Sequence, residues 1–199
     1  MIYKSLKKET PRIFESPFLE LLSKVHWTCP IIIYVPIITF LIYLSMQRNP
    51  LGTCILLGVS GLFAWILFEY LVHRFVFHYQ PRSTWGKRMH YIIHGIHHDY
   101  PNDPYRLVMP PAVSLPVTFL FGGLFYVTLG NPTFPPFFAG CLLGYLFYDI
   151  SHYWFHHNAF KHGLLKKLQK HHLQHHFKDP QSRFGVSTMI GDIIFKTKQ

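Results

Sequence analysis

The sequence contains little charge, and acidic side chains are especially few. Charged residues make up 14% of the chain, with 9 Asp and Glu against 19 Lys and Arg, whereas 49% of the 199 residues are hydrophobic. An ordinary soluble domain carries about 25% charged residues. The composition therefore argues against a soluble fold, excludes a disordered chain and favours a protein embedded in a membrane.

Sequence patterns for several common chemistries are also missing. The three cysteines, Cys29, Cys54 and Cys141, lie in apolar stretches and form no CxxC pair, so neither a disulfide framework nor a thiolate zinc site is indicated. No P-loop, dinucleotide fingerprint or Ser-His-Asp or Cys-His nucleophile site is visible. The net charge of +10 would suit a nucleic-acid ligand, but no recognition motif accompanies it, and we expect no nucleic-acid partner.

Long uncharged runs predict membrane-spanning helices. No Asp, Glu, Lys or Arg occurs in the 23 residues between Lys24 and Arg48, or in the 20 residues between Arg48 and Glu69. Each run is long enough to cross a hydrocarbon core of about 30 Å as one helix.

A third uncharged run, of 42 residues, separates Arg106 from Asp149. As one helix it would extend about 63 Å, roughly twice the thickness of the hydrocarbon core, so it must fold back once. The turn is predicted at Gly130-Asn131-Pro132, because Gly and Asn tolerate left-handed backbone angles and Pro cannot continue a helix. The prediction is an all-α integral membrane protein whose four transmembrane helices form two hairpins, near 30–47, 50–72, 112–129 and 133–150.

The basic residues predict how these spans are oriented. Lys and Arg collect on the cytoplasmic side of a membrane, and 18 of the 19 fall in residues 1–29, 73–111 and 151–199, with Arg48 as the exception. Both termini are therefore predicted to be cytoplasmic. We expect 73–111 and 151–199 to form a cytosolic helical cap, and 1–29 to lie at the membrane surface with a short helix capped by Ser16. Nothing marks a domain boundary, so 1–199 is predicted to be one domain.

Thirteen of the 15 histidines fall in four short clusters, all at or beyond the predicted cytoplasmic ends of the spans. The clusters are His73 and His78; His90, His94, His97 and His98; His152, His156 and His157; and His171, His172, His175 and His176. A divalent metal bound by imidazoles needs several nitrogens that converge on one point. Four clusters on one membrane face predict a metal site, with more ligands than a single ion can take.

The spacing within the clusters predicts which histidines share a helix face, because residues three or four apart lie on the same face. Such pairs occur in three clusters: His94 with His97 and His98, His152 with His156, and His172 with His175 and His176. His73 and His78 are five apart, which on a regular helix separates their directions by about 140°. The second span is therefore expected to end or unwind near this pair.

The remaining histidines and the nearby carboxylates are assigned supporting roles. We expect five histidines to be hydrogen-bonding neighbours or surface residues rather than ligands: His26, His90, His157, His162 and His171. Asp149, three residues before His152, and Glu69, four residues before His73, are each predicted to accept the second N–H of that imidazole. For Glu69, an ion pair with Arg74 is an equally good alternative.

The chain resembles the membrane-bound fatty acid 2-hydroxylases of the sterol desaturase and fatty acid hydroxylase superfamily in four segments: HRFVFH, HYIIHGIHHDYPNDPYRLVMPP, YDISHYWFHH and KKLQKHHLQHHFKDPQSRFGVS. The resemblance runs from about Phe68 to Lys196, and RLVMPP, Arg106 to Pro111, indicates the 2-hydroxylase branch. It implies a four-span helical protein with a cytosolic cap that holds two metal ions, normally iron, which activate O2.

The resemblance also implies the ligands and the reaction. The ten metal-binding histidines of the family correspond to His73, His78, His94, His97, His98, His152, His156, His172, His175 and His176. The family reaction inserts one oxygen atom at the carbon next to the carbonyl of a long acyl chain, either as the free acid or as the amide-linked chain of a sphingolipid. Imidazole suits iron, copper, zinc and nickel alike, so the residues themselves do not name the metal, and zinc is the alternative to iron.

One family feature is absent from the sequence. Many members carry an N-terminal cytochrome b5 domain that delivers electrons, and its HPGG haem signature does not occur here. We therefore expect a separate electron donor, either a cytochrome b5 or a reductase. The membrane is expected to be the endoplasmic reticulum in a eukaryote or the inner membrane in a bacterium.

Two alternative functions are considered. A metal transporter also combines clustered histidines with membrane spans, but it places ionisable groups near the bilayer midplane. Here the predicted spans contain none beyond the terminal Glu69 and Asp149. Within the enzyme class, the alternative is hydroxylation or desaturation of another lipid, such as a sterol or a carotenoid.

Overall fold

Every regular element is helical in residues 4–198, the part of the chain that this computed structural model describes. The α-helices in that part are α1 (Pro17–Leu22), α2 (Cys29–Met46), α3 (Leu51–Val72), α4 (Thr84–His90), α5 (Ile96–Asp99), α6 (Pro111–Leu129), α7 (Phe134–His157), α8 (Gly163–Phe177) and α9 (Ile190–Ile194). Two π-helical segments accompany them: π1 (His73–Phe77) continues α3, and π2 (Tyr91–Gly95) joins α4 to α5.

Three helices are long and apolar enough to cross a membrane. They are α2 with 18 residues, α3 together with π1 as a 27-residue helix, and α6 with 19 residues, and they correspond to the first three predicted spans. The fourth predicted span, near 133–150, corresponds to most of α7, which is not one of the three and carries polar residues such as Asp149, Ser151 and His152 in its C-terminal half. The all-helical membrane fold is confirmed, and the four-span arrangement stays a prediction.

Helix α7 lies at the centre of the bundle. It packs along both α2 and α3 and also contacts α6, and more than half of its residues are buried. Each of the other three long helices exposes more large apolar side chains than α7 does, including Phe40, Phe63 and Phe119. Exposed apolar surface of this extent is expected of helices that face lipid.

Glycines let α3 and α7 approach closely. A Cβ added at Gly61 would lie 1.9 Å from the carbonyl oxygen of Phe137, and one added at Gly140 would lie 1.9 Å from the carbonyl oxygen of Gly58. Helices embedded in lipid associate through such small residues, because van der Waals contact drives their packing.

The two hairpin turns lie at one end of the bundle. Helix α6 ends at Leu129 and Gly130 has a φ of 63°, which confirms the turn predicted at Gly130-Asn131-Pro132. Asn49, in the turn between α2 and α3, donates a hydrogen bond from Nδ2 to the carbonyl oxygen of Pro132 at 3.1 Å. The histidine clusters of α3 and α7 therefore lie at the other end of these helices.

The predicted short helix of the N-terminal segment is confirmed as α1. Its first residue is Pro17, and the hydroxyl of Ser16 accepts a hydrogen bond from the backbone N–H of Leu19 at 3.5 Å. Its apolar side chains are exposed, but Glu20 is buried and pairs with Arg106 at 2.5 Å. This ion pair joins the N-terminal segment to the loop that precedes α6.

Candidate metal centre

The ten histidines that the sequence predicted as ligands converge in two groups of five. We call the first group centre 1 and the second centre 2. Centre 1 comprises His73, His78, His94, His98 and His175, and centre 2 comprises His97, His152, His156, His172 and His176. Within each group the candidate ligand nitrogens all lie within 4.8 Å of one another. Each group therefore has the geometry needed to hold a metal ion.

A π-turn brings His73 and His78 into one group. The backbone N–H of His78 donates to the carbonyl oxygen of His73 at 3.1 Å, which is the five-residue hydrogen bond of a π-helix. Residues five apart then lie on nearly the same face. The α-helix does end at Val72, as the spacing predicted, but the chain widens into a π-helix instead of leaving the helical path.

A side-chain amide joins α8 to the end of α7. Gln169 Nε2 donates to the carbonyl oxygens of Phe155 at 3.0 Å and Asn158 at 2.6 Å. These bonds satisfy carbonyls at the C-terminal end of α7, where the helix itself offers no donor. As a result the histidines of the two helices meet, with His156 Nε2 2.8 Å from His172 Nε2.

The spacing of the nitrogens fits ligands of a shared ion. In centre 1, His94 Nε2 lies 3.2 Å from His73 Nε2 and 2.9 Å from His98 Nε2. In centre 2, His97 Nε2 lies 2.8 Å from His152 Nε2. Two nitrogens that bind one ion at about 2.1 Å and at right angles are roughly 3.0 Å apart.

Buried nitrogens without partners also fit a metal. His175 and His176 are fully buried, and Nε2 of each has no hydrogen-bond partner among the described residues. An unpaired buried polar group costs about 1–3 kcal/mol. A metal ion bound to these nitrogens would remove that cost.

The environment keeps the imidazoles neutral. Burial, reinforced by the neighbouring imidazoles, lowers the pKa of His98 from 6.5 to about 3. The same causes lower the pKa values of His97, His172 and His176 well below the ordinary histidine value of 6.5. Neutral imidazole has the free lone pair that a metal binds, so these side chains are in the ligating form at neutral pH.

Three of the ten candidate ligands direct their second ring nitrogen to backbone carbonyls. The contacts are His73 Nδ1 to Phe184 O, His175 Nδ1 to Ser182 O at 2.6 Å, and His152 Nδ1 to Leu107 O at 3.2 Å. A carbonyl oxygen can only accept, so Nδ1 must carry the proton in each case. This tautomer leaves Nε2 free to bind an ion.

Glu69 and Asp149 were predicted to accept imidazole N–H groups, but in the structure they accept backbone N–H groups. Glu69 Oε1 instead accepts the backbone N–H groups of Val186 at 2.7 Å and Ser187 at 2.9 Å. Asp149 accepts the backbone N–H of Met109 at 3.1 Å. The loops thus present backbone N–H groups to these two carboxylates and backbone carbonyls to three of the imidazoles, and each of these contacts pairs a donor with an acceptor.

The alternative ion pair between Glu69 and Arg74 is also absent. Arg74 donates from Nη1 to the hydroxyl oxygen of Tyr70 at 3.0 Å. The second bond to Asp149 comes from the hydroxyl of Tyr145 at 3.1 Å. Both carboxylates therefore support the loops around the site.

The five histidines that were not expected to be ligands lie outside both groups. One of them, His171, has its Nε2 2.9 Å from Oδ2 of Asp192. Asp192 is fully buried beside the site, and it was not among the residues predicted to support the site. Its signal was a lone carboxylate within the apolar segment IGDII.

Fold and site together define a helical membrane protein that carries two adjacent five-histidine groups at one end of its apolar helices. The family profile described as fatty acid hydroxylase matches residues 58–197. The chain belongs to the fatty acid hydroxylase family. It is an enzyme of that family, and the resemblance to fatty acid 2-hydroxylases seen in the histidine motifs is confirmed.

Named relatives are similar over most of this chain. It is 39% identical over 191 residues to a dihydroceramide fatty acyl 2-hydroxylase of Arabidopsis thaliana, which covers 96% of this chain and 81% of the relative. It is 38% identical over 184 residues to the ceramide very long chain fatty acid hydroxylase scs7 of Schizosaccharomyces pombe, and this match covers 91% of this chain and 53% of the relative. It is 35% identical over 208 residues to the fatty acid 2-hydroxylase of Homo sapiens, and this match covers 94% of this chain and 56% of the relative. The chain thus spans about half the length of the last two.

A solved structure shares the fold. The hydroxylase domain visible in a structure of full-length scs7p matches with a TM-score of 0.84 and 37% identity. The match covers 90% of this chain and 69% of that chain.

Proposed function

We propose that this protein is an O2-dependent dimetal hydroxylase that adds a 2-hydroxyl group to the acyl chain of a fatty acid or a ceramide. The observation that carries this proposal is the convergence of ten histidines into two groups of five. The reaction and the substrate class follow the names of the relatives, which are 2-hydroxylases of fatty acyl and ceramide chains.

The two groups would hold one metal ion each, and we propose iron. Two iron ions held there would supply the redox chemistry by which O2 oxidises an unactivated C–H bond. Zinc fits the same nitrogens but does not change its oxidation state, so it would give a bound but inactive form. The hydrogen bonds from Nδ1 to backbone carbonyls orient the imidazoles before any ion arrives.

An apolar cavity of about 210 Å³ between α3, α6 and α7 would receive the acyl tail. Its walls include Trp65 and Phe68 of α3, Phe121 of α6, and Cys141 and Tyr145 of α7. Because α6 exposes apolar side chains to the surroundings, we propose that the tail enters laterally from the bilayer.

We infer that the cavity extends toward the histidines. Met109 lines it, and the segment that contains Met109 also supplies the carbonyl of Leu107 to His152. An acyl tail in the cavity would thus have its polar head at the level of the histidine groups. The carbon next to the carbonyl would then be the part of the chain closest to the metals.

The membrane arrangement is part of the proposal. We propose that α7 supplies a fourth span, that both termini are cytoplasmic, and that the cap 73–111 and 151–199 belongs to one domain with the spans. The contact between Asn49 and Pro132 and the distribution of basic residues support this arrangement. The electron donor is proposed to be a separate cytochrome b5 or reductase, and the membrane to be the endoplasmic reticulum or a bacterial inner membrane.

The test is mass spectrometry of hydrolysed total fatty acids from cells that express the wild type, His175→Ala or His162→Ala. His175 is a proposed ligand, whereas His162 is exposed and outside both centres. We expect 2-hydroxy acids with the wild type and His162→Ala and none with His175→Ala.

The other outcomes are informative. An active His175→Ala protein would contradict the dimetal site. A metal-loaded wild type that makes no 2-hydroxy acids in a host with a suitable electron donor would contradict the substrate assignment and favour a sterol or carotenoid. Analysis of the intact lipids then distinguishes a free acid from a ceramide as the acyl carrier.

A further inference from the structure

One loop, residues 182–187, supplies the carbonyls for two ligands of centre 1. The oxygen of Phe184 faces His73 Nδ1, and the oxygen of Ser182 faces His175 Nδ1 at 2.6 Å. The third such carbonyl, that of Leu107, belongs to a different loop and faces His152 of centre 2. The loop 182–187 is therefore specific to centre 1.

A buried carboxylate holds this loop from behind. Asp192 Oδ1 accepts the backbone N–H of Phe184 at 2.8 Å, and Oδ2 accepts that of Gly185 at 2.8 Å. The hydroxyl of Thr197 donates to Oδ1 at 2.7 Å, and His171 Nε2 lies 2.9 Å from Oδ2. Asp192 is fully buried, and four partners offset the cost of burying it.

The bond to Gly185 acts on the same peptide group that faces His73. The N–H of Gly185 and the carbonyl of Phe184 belong to one planar peptide unit, so fixing one fixes the direction of the other. A carboxylate on the N–H side also polarises the unit and strengthens its carbonyl as an acceptor. Asp192, this peptide and His73 thus form a continuous chain toward the metal.

The second carbonyl is tied to the same carboxylate. The peptide between Ser182 and Arg183 donates its N–H to the carbonyl oxygen of Thr197 at 2.9 Å. Thr197 in turn donates its hydroxyl to Asp192, and its backbone N–H donates to the carbonyl oxygen of Asp192 at 2.9 Å. Both peptide groups that orient centre 1 therefore depend on Asp192 and Thr197.

We propose that Asp192 is a positioning residue for centre 1, which acts through the peptide between Phe184 and Gly185 to fix the tautomer and direction of His73 and, through Thr197, those of His175. The inference rests on the dimetal function proposed above. Metal-ligating histidines are commonly oriented by a carboxylate that accepts the second N–H directly, whereas here a peptide group is interposed.

The proposal predicts a loss confined to one of the two metals. Purified protein is loaded with Fe²⁺ and titrated with a competing chelator, and retained iron is counted by mass spectrometry. Asp192→Asn keeps the shape of the side chain but replaces one acceptor oxygen with a donor. We expect one of the two ions to bind roughly 10- to 100-fold more weakly, which is the usual loss when a residue that orients a metal ligand is replaced. The affinity for the second ion should be unchanged.

Two backgrounds assign the loss to a centre. In His97→Ala the remaining ion is in centre 1, and Asp192→Asn is expected to weaken it. In His73→Ala the remaining ion is in centre 2, and Asp192→Asn is expected to leave it unchanged. Glu15→Gln serves as the control, because Glu15 is an exposed carboxylate remote in sequence from both centres.

A second, milder variant keeps the proposal testable if Asp192→Asn does not fold. Thr197→Val removes one donor to Asp192 and leaves the carboxylate in place, so a smaller loss at centre 1 is expected. The role of Asp192 would be overturned if a variant bound both ions equally more weakly. It would also be overturned if both variants bound both ions as tightly as the wild type. A wild type that binds two ions but makes no 2-hydroxy acid would count against the proposed function alone, whereas a wild type that binds none would overturn both.

Discussion

His97 and His98 are neighbours in the chain, yet their imidazoles belong to different metal-binding groups. Consecutive residues on an α-helix point about 100° apart, so the short helix α5 directs one imidazole to each centre. His175 and His176 on α8 are divided in the same way. Each of these two pairs of adjacent histidines therefore links the two centres.

This division predicts that single substitutions remove different ions. We expect His97→Ala to lose the ion of centre 2 and His98→Ala to lose the ion of centre 1, because each removes one of five ligands from one group only. Both variants should retain about one metal per chain, and the double variant about none, since affinity depends on the number of ligands. Elemental analysis of purified protein measures this, and loss of both ions in either single variant would contradict it.

The glycine contact between α3 and α7 predicts a packing defect. A methyl group at Gly140 would lie 1.9 Å from the carbonyl oxygen of Gly58, and backbone cannot move aside as a side chain can. We expect Gly140→Ala to destabilise the protein by roughly 1–3 kcal/mol, measured by thermal unfolding in detergent. Gly123 has nothing within 4 Å of the added Cβ, so Gly123→Ala is the matched control and should unfold at or above the wild-type temperature.

The ion pair between Glu20 and Arg106 predicts a pH dependence. Burial by itself would raise the pKa of Glu20, but hydrogen bonds from Lys24 and two backbone N–H groups, with the charge of Arg106, lower it from 4.5 to about 2. A lowered folded pKa adds stability that is complete above pH 4.5 and is lost as the pH falls from 4.5 toward 2. The difference in unfolding temperature between wild type and Glu20→Gln should therefore be largest above pH 4.5 and shrink below it. A difference independent of pH would show that the charge of Glu20 contributes nothing.

The apolar cavity predicts a selective block. Cys141 lines it, whereas Leu143, two residues further along α7, is exposed and outside it. Filling the cavity with Cys141→Phe should lower the yield of 2-hydroxy acid roughly 10- to 100-fold, which corresponds to about 1–3 kcal/mol of overpacking against the substrate. Leu143→Phe should leave it unchanged. Equal yields from both variants in the mass-spectrometric assay would show that the acyl chain binds elsewhere.

Much of this architecture was predictable from sequence patterns alone. Uncharged runs located α2, α3 and α6, because a lipid-facing helix must be apolar over its whole length. The turn at residues 130–132 followed from Gly and Asn, which tolerate left-handed backbone angles, and from Pro, which cannot continue a helix. The ten histidines that converge were identified by spacing and family motifs, since helical neighbours three or four residues apart share a face.

What the sequence determined about this protein is therefore its membrane helices, the residues that could bind metal and the family. The tertiary structure decided how the ten histidines divide into two groups and what holds them in place. The peptide groups that orient the imidazoles meet them through contacts between segments far apart in the chain, such as that of His73 with Phe184 and that of Glu69 with Val186. Local spacing carries no record of such contacts, because a backbone carbonyl or N–H is present at almost every residue and only the fold selects which ones face the site.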